Sequence, residues 1–319
     1  MEIKKISEIA SKVRSNIQKV IVGKDTVIDL ILTSIISSGH VLLEDVPGLG
    51  KTMLARSLAR SVDCDYKRIQ FTPDLLPSDI LGLNYFNQKT GEFQLKEGPI
   101  MSQIVLADEI NRATPRTQSS LLEAMEEHQV SIDGTTYRLK EPFFVIATQN
   151  PIETSGTFPL PEAQLDRFFM KLSMGYPKFD DEFEILMRFK DKDPMKQIGA
   201  VITPEEIIEA RQSYSRVYVD KEIAEYILKI VRATRDNDEI ELGISPRGSL
   251  ALFKASQAYA AINGRDYVLP DDVKLLTKPV FTHRIILNSH AEIKGRTIDD
   301  VLDHIILKIN VPVEKNSNI

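Results

Sequence analysis

The chain has 319 residues, room for one large domain or two modest ones, and its 42% apolar and 27% charged content suits a soluble globular protein rather than a disordered one. Forty Lys and Arg against 46 Asp and Glu leave a net charge of −6, which argues against a surface built to coat nucleic acid. A single cysteine, Cys64, excludes an internal disulfide, and the five histidines sit at spacings that match no metal motif.

At the start of the chain, Ile3, Ile6, Ile9, Val13 and Ile17 recur at three- and four-residue steps, one face of an amphipathic helix with no signal-peptide core. A second helix is predicted over 24–38. Its most apolar stretch, 27–36, is broken by Asp29, Thr33 and Ser34 and is too short to span a bilayer, so a cytoplasmic protein without membrane insertion is expected. Gly39 ends that helix. From there to about Met174, short apolar runs at 41–43, 69–71, 104–107 and 143–147 alternate with helical segments, predicting an α/β core with a mainly parallel sheet covered on both faces. Two pieces break the rhythm. A period-two stretch over 83–98 turns at Lys89-Thr90-Gly91-Glu92, and Asp133-Gly134 separates two short runs over 130–139; both read as inserted β-hairpins. Gly175-Tyr176-Pro177 reads as a linker. Beyond it, helices are predicted over 204–214, 221–234, 246–262, 270–282 and 298–309, the first opened by the capping box Thr203-Pro204-Glu205-Glu206. The expected division is a core over 1–175, an all-helical domain over 176–312 and a frayed tail over 313–319.

Three motifs carry chemistry. The strand over 41–43 runs into Glu44-Asp45-Val46 and then Pro47, Gly48, Leu49, Gly50, Lys51, Thr52 and Met53, where a helix begins at once. In that context backbone N–H groups and the positive helix end would wrap a β-phosphate, Lys51 would reach the β/γ oxygens, and the Thr52 hydroxyl would ligate Mg²⁺. Asp45 stands where the pattern G-x-x-x-x-G-K-[ST] has its first glycine, and the same letters also fit a plain strand–helix turn with a surface lysine. The run Ile104-Val105-Leu106-Ala107 ends in Asp108-Glu109, which a parallel sheet would set beside the loop: Asp108 for the metal shell, Glu109 to orient and deprotonate the attacking water. Taken alone, such a pair is an ordinary solvated strand end. The run 143–147 continues to Thr148, Gln149 and Asn150. An amide there could bind the γ-phosphate or the lytic water from a strand lying between the other two, although Asn before Pro151 is also a good turn former.

In this order the motifs resemble those of AAA+ ATPases, with Asp108-Glu109 as the Walker B pair and Asn150 as sensor 1. The wording of Leu43 to Thr52, Asp108-Glu109-Ile110-Asn111-Arg112-Ala113, Leu121-Leu122-Glu123-Ala124-Met125-Glu126-Glu127, Ala147 to Pro151 and Leu165-Asp166-Arg167-Phe168 is similar to the MoxR family, over about 17–312. Acidic residues occur at the Asp45 position in that family. The resemblance implies a P-loop core with a helical lid, ATP and Mg²⁺ as cofactors, and a homo-oligomer, hexameric rings being the family's habit. It makes Arg167 the finger that enters a neighbour's site and Arg247, in Ser245-Pro246-Arg247-Gly248, sensor 2 of the lid. A cation in a first helical turn opposes the macrodipole, and a bound triphosphate would offset that. Val22 and Gly23 fall where the family contacts adenine, though core packing explains the same letters. Arg112 and Arg116 fit a neighbour, the γ-phosphate or structural ion pairs equally. The hairpins match pore-facing inserts, so that Tyr85, Phe86, Phe93, Tyr137, Arg138 and Lys140 could touch a client or pack on their own subunit. The implied activity is chaperone-like remodelling of partner proteins, often ones with von Willebrand factor A domains. The alternatives are a nucleic-acid motor, disfavoured by charge, and a nucleotide-gated scaffold with little turnover.

Overall fold

The computed structural model describes residues 1–152, 156–190 and 193–312. The tail expected over 313–319 lies outside them. Helix α1 (Ile3–Ile17) buries Ile6, Ile9, Val13 and Ile17, the face that the spacing predicts, and α2 (Asp25–Ile36) is buried along most of its length. The α/β core follows in chain order: β1 (Val41–Glu44), α3 (Lys51–Ser61), β2 (Tyr66–Gln70), α4 (Pro77–Leu81), the hairpin of β3 (Gly82–Asn87) and β4 (Glu92–Glu97), β5 (Ile104–Asp108), α5 (Pro115–Glu127), the hairpin of β6 (Gln129–Ile132) and β7 (Thr135–Arg138), β8 (Phe144–Gln149), α6 (Glu162–Leu165) and β9 (Met170–Leu172).

Five of these strands form one sheet in the order β2-β5-β8-β1-β9, with every pairing parallel. Successive side chains alternate between faces. Val41, Leu43, Leu106 and Ile146 join one apolar cluster, shared with α1, α2, α3 and the C-terminal helices. Leu42, Val105 and Ala147 join a second, under α5 and the hairpins. Burial on both faces accounts for the unbroken apolar runs in the sequence. The second hairpin turns through Asp133 at φ 48° and Gly134 at φ 80°, the left-handed pair that a two-residue connection needs.

The remainder is helical: α7 (Phe179–Phe189), α8 (Pro204–Ser213), α9 (Lys221–Arg235), α10 (Pro246–Ile262), α11 (Pro270–Phe281), α12 (Ser289–Ile293) and α13 (Ile298–Lys308). Between them β10 (Ile240–Leu242) and β11 (Ile286–Leu287) pair antiparallel, a ribbon too short to stand out as a run. Helix α10 packs on α1, α2, α9 and α11, so the N-terminal helices and the C-terminal ones share one core. Besides the β10-β11 ribbon, which interrupts the region expected to be all-helical, and the short helices α4 and α12, the departures from the reading of the sequence are that β2 begins at Tyr66 rather than at 69, that β9 is an added edge strand, and that α7 follows directly on the linker.

Candidate nucleotide site

In a parallel sheet every strand ends at the same edge. The carboxyl ends of β1, β8 and β5, adjacent in that order, deliver the loop before Lys51, Asn150, and Asp108-Glu109 to one place. Gly48 and Gly50 both adopt φ 88°, and nothing lies within 4 Å of where a Cβ would stand at either, so the loop offers bare, open backbone to a ligand. Pro47 is exposed, Leu49 and Thr52 are half-buried, and Met53 packs against the larger core. Lys51 opens α3, and its Nζ donates to the carbonyl oxygens of Asp45 at 2.8 Å and Val46 at 3.4 Å. Burial lowers the Lys51 ammonium pKa, while Asp45, Asp108 and Glu109 pull it back up.

The departure at Asp45 has a structural account. Its φ is not positive, so no glycine is required, and its buried carboxylate accepts hydrogen bonds from Ser173 Oγ at 2.7 Å, the Met174 N–H at 2.7 Å and the Gly175 N–H at 3.1 Å. The phosphate loop is thereby tied to the linker.

Asp108 accepts from Thr148 Oγ1 at 2.6 Å and from Arg68, whose Nε and Nη2 reach it at 2.9 and 2.6 Å. Glu109 sits in the left-handed region at φ 58°, ψ 50°, a conformation that costs a non-glycine residue about 1–2 kcal/mol. Its N–H donates to Thr148 Oγ1 at 2.8 Å, and its Oε2 accepts from Gln70 Nε2 at 2.9 Å and pairs with Arg112 Nη1 at 3.3 Å. Asn150 follows β8, the strand between the other two, and its Oδ1 accepts from the Ile152 N–H at 3.2 Å. Among the described residues no cluster of three or more His, Cys, Asp or Glu could hold a metal. A Mg²⁺ ion takes one or two protein ligands and leaves the rest to phosphates and water; the Thr52 hydroxyl and the Asp108 carboxylate are the groups here that could supply that share.

Val22 is buried, and Gly23, at φ 67°, lies so close to α7 that an added Cβ would stand 2.2 Å from Asp181 Oδ2. Both positions therefore pack against their own subunit. Arg116 is exposed on the first turn of α5. On the first hairpin Tyr85, Phe86 and Phe93 are exposed, the two phenyl rings meeting edge to face at 5.4 Å, whereas Tyr137 packs in part on its own core.

The arginines lie elsewhere. Arg167 precedes β9, and the Phe169 N–H donates to the carbonyl oxygen of His40, which precedes β1. Both therefore mark the amino edge of the sheet. Arg167 Nε pairs with Glu126 Oε2 at 3.1 Å, and Arg247 Nη2 pairs with the same carboxylate at 3.0 Å. The two share a cavity of about 250 Å³ with Ser38, His40, Lys254 and Arg284. Arg247 thus stands with Arg167 at the amino edge and not over its own phosphate loop. A strand length separates the two edges. The buried Arg284 guanidinium fixes this corner, donating to Asp166 Oδ1 at 2.6 Å and to the Phe168 carbonyl at 2.6 Å.

Arg68, Gln70, Thr148, Glu126 and Arg284 were not singled out by sequence. Arg68 and Gln70 alternate along β2 and face the carboxylates of β5, a signal visible only once those strands are paired.

The family model for the ATPase family associated with various cellular activities matches residues 40–170, and that for the AAA lid domain matches 232–305. The chain is 38% identical over 305 residues to Chaperone MoxR1 of Mycobacterium tuberculosis, covering 93% of this chain and 80% of that one. It is 31% identical to Protein MoxR of Paracoccus denitrificans, covering 92% and 93% of the two chains. A solved structure from Cytophaga hutchinsonii, described as a candidate ATPase, matches it with a TM-score of 0.89 and 40% identity over 97% of each chain. The fold, the phosphate loop and these relatives agree: the chain belongs to the MoxR family of AAA+ ATPases.

Proposed function

We propose that the chain hydrolyses ATP with Mg²⁺ as a cytoplasmic ring of copies, six by family habit, and uses the cycle to remodel a protein client such as one with a von Willebrand factor A domain. The observation that carries this reading is the split between the two edges of one sheet. Lys51, Thr52, Asp108, Glu109 and Asn150 gather at the carboxyl edge, while Arg167 and Arg247 gather at the amino edge. Arg167 and Arg247 can reach a phosphate at the carboxyl edge only when another copy brings its amino edge over it.

In this reading the Lys51 ammonium leaves the Asp45 and Val46 carbonyls for the β/γ oxygens. Glu109 parts from Gln70 and Arg112 and takes a proton from the attacking water, which the Asn150 amide orients. Bound Mg²⁺ would add neutralising charge on the phosphates. The neighbour's Arg167 and Arg247 leave Glu126 and stabilise the charge that develops on the transferred phosphoryl group. Ile21, Val22 and Gly23 would flank the adenine, and Gly175-Tyr176-Pro177, held to the loop through Asp45, would divide a core over 1–175 from a lid over 176–312.

Nucleotide binding and phosphate release measured on the wild type, Lys51→Ala and Glu109→Gln test the core of this. Lys51→Ala is expected to lose both. Glu109→Gln is expected to keep binding and lose turnover by about 10²–10⁴. Wild-type turnover in Glu109→Gln would overturn the assignment. Turnover stimulated by DNA would favour a nucleic-acid motor, and negligible wild-type turnover a nucleotide-gated scaffold.

A further inference from the structure

A surface helix normally turns its apolar stripe inward. Helix α7 does the reverse. Asp181, Ile185 and Arg188 point toward the body of the protein: the Asp181 carboxyl sits against Gly23, and Arg188 donates to the Gln18 carbonyl oxygen and to Glu184. Phe179, Phe183 and Leu186, at four- and three-residue steps on the opposite side, are 84%, 57% and 63% exposed, with Met187 beside them. No residue of α7 is buried. The helix is nevertheless held firmly at its start, where Lys24 Nζ donates to the carbonyl oxygens of Gly175 at 3.1 Å and Tyr176 at 3.0 Å. An apolar face this continuous marks a contact surface.

We propose that this face is covered by helix α10 of a neighbouring copy of the chain, an inference that rests on the ring reading above. Two observations select that occupant. The first is position. Through Asp45 and residues 173–175, α7 starts beside the phosphate loop at the carboxyl edge, while α10 opens beside Arg167 at the amino edge. A head-to-tail contact that carries Arg167 of one copy to the phosphate loop of the next brings the first turns of α10 toward α7, and such a heterologous contact forms a ring when its rotation closes. The second is chemistry. Arg247, Leu250 and Lys254 lie at three- and four-residue steps and are all exposed, a basic, apolar, basic row. Helix α7 offers Asp180 and Glu182, both exposed in its first turn beside Phe179 and Phe183, an acidic rim to an apolar centre. The same acidic rim disfavours an anionic membrane surface as the occupant.

The test joins a cysteine on each face, Phe183→Cys with Leu250→Cys, in Glu109→Gln protein held with ATP and Mg²⁺ and treated with a short bismaleimide. The native Cys64 is half-buried, and burial pushes its thiol up to about 12, so it competes poorly for the reagent. Covalent multimers are expected from the paired-cysteine protein and not from either single one. In parallel, Phe179→Ser/Phe183→Ser protein should assemble on the order of tenfold to a hundredfold more weakly by light scattering, with binding of a fluorescent ATP analogue within about twofold of wild type. If wild-type protein stays monomeric with ATP, the ring reading and this proposal fall together. If it assembles, but the paired cysteines do not join and the serine variant assembles normally, only this proposal is overturned, and the face belongs to a partner protein of another kind.

Discussion

The two edges of the central sheet are built on opposite plans. At the carboxyl edge the chemistry is local in sequence: Lys51 and Thr52 open α3 directly after the loop that leaves β1, and Asp108 and Glu109 are consecutive at the end of β5. At the amino edge the group is assembled from distant parts, since Glu126 on α5, Arg167 before β9 and Arg247 on α10 meet only after the helical domain has folded onto the core. A motif survives as a readable string where one strand end supplies it. The amino edge cannot be read that way, because its residues lie far apart in the chain and meet only through tertiary contacts.

The largest effect expected from breaking this contrast is at Arg167. Replacing it with Ala should leave nucleotide binding nearly intact and lower turnover by about 10³–10⁵, which is about 4–7 kcal/mol of barrier. Mixing Arg167→Ala with Lys51→Ala should restore part of the activity. An intact loop on one copy can then face an intact arginine on another. Arg247→Ala, standing on the same Glu126 carboxylate, should be rescued by Lys51→Ala in the same way. Failure of both mixtures to recover turnover would put the two arginines back in the service of their own subunit.

The next effect concerns acid. His40 is fully buried at the amino edge, accepting the Val145 N–H at Nδ1 and donating from Nε2 to the Met125 carbonyl, each at 3.0 Å. Burial pushes its pKa down to about 3 from the usual 6.5. The unfolded chain therefore takes up a proton below pH 6.5 that the folded one refuses. Stability is fully present above that pH and falls as the medium is acidified toward 3. At pH 5 this one residue should remove about 2 kcal/mol relative to pH 7, read as a drop in urea midpoint. His283, buried against the Phe168 carbonyl with its pKa lowered by the same desolvation, acts in the same direction. His40→Gln should flatten the pH dependence, and an unchanged slope in that variant would place the acid-sensitive group elsewhere.

The same contrast explains what the sequence made legible. Runs of apolar residues marked β1, β5 and β8 because these strands are buried on both faces, and Asp133-Gly134 marked its hairpin because both residues need a left-handed backbone. Strand β2 was clipped because Tyr66, Lys67 and Arg68 lie at the sheet edge, where solvent tolerates polar residues. Helix α7 escaped notice although Phe179, Phe183 and Leu186 keep a helical spacing, since it follows a Gly-Tyr-Pro segment that reads as the end of an ordered unit. Thr148 shows the limit most clearly. Nothing in an apolar strand ending Thr-Gln-Asn says that the threonine hydroxyl will hold both the Asp108 carboxylate and the Glu109 backbone.

The smallest predicted effect sharpens the carboxyl edge alone. Arg68 lends its guanidinium to Asp108, the carboxylate that fits a share of Mg²⁺, and its side chain is 48% exposed. An ion pair so open to water contributes about 1 kcal/mol or less. The pair nevertheless has a sign. While Arg68 occupies one carboxylate oxygen, a divalent cation must displace it, so Arg68→Gln should lower the Mg²⁺ concentration that half-saturates metal-dependent nucleotide binding by about two- to fivefold. If Arg68 instead reaches the phosphates once they are bound, the same substitution weakens binding at every Mg²⁺ concentration, so a titration at several metal concentrations separates the two. Because Arg68 lies on β2, outside the three strands that carry the motifs, a shift in metal dependence without a change in nucleotide affinity at saturating Mg²⁺ would extend the carboxyl-edge site by one strand.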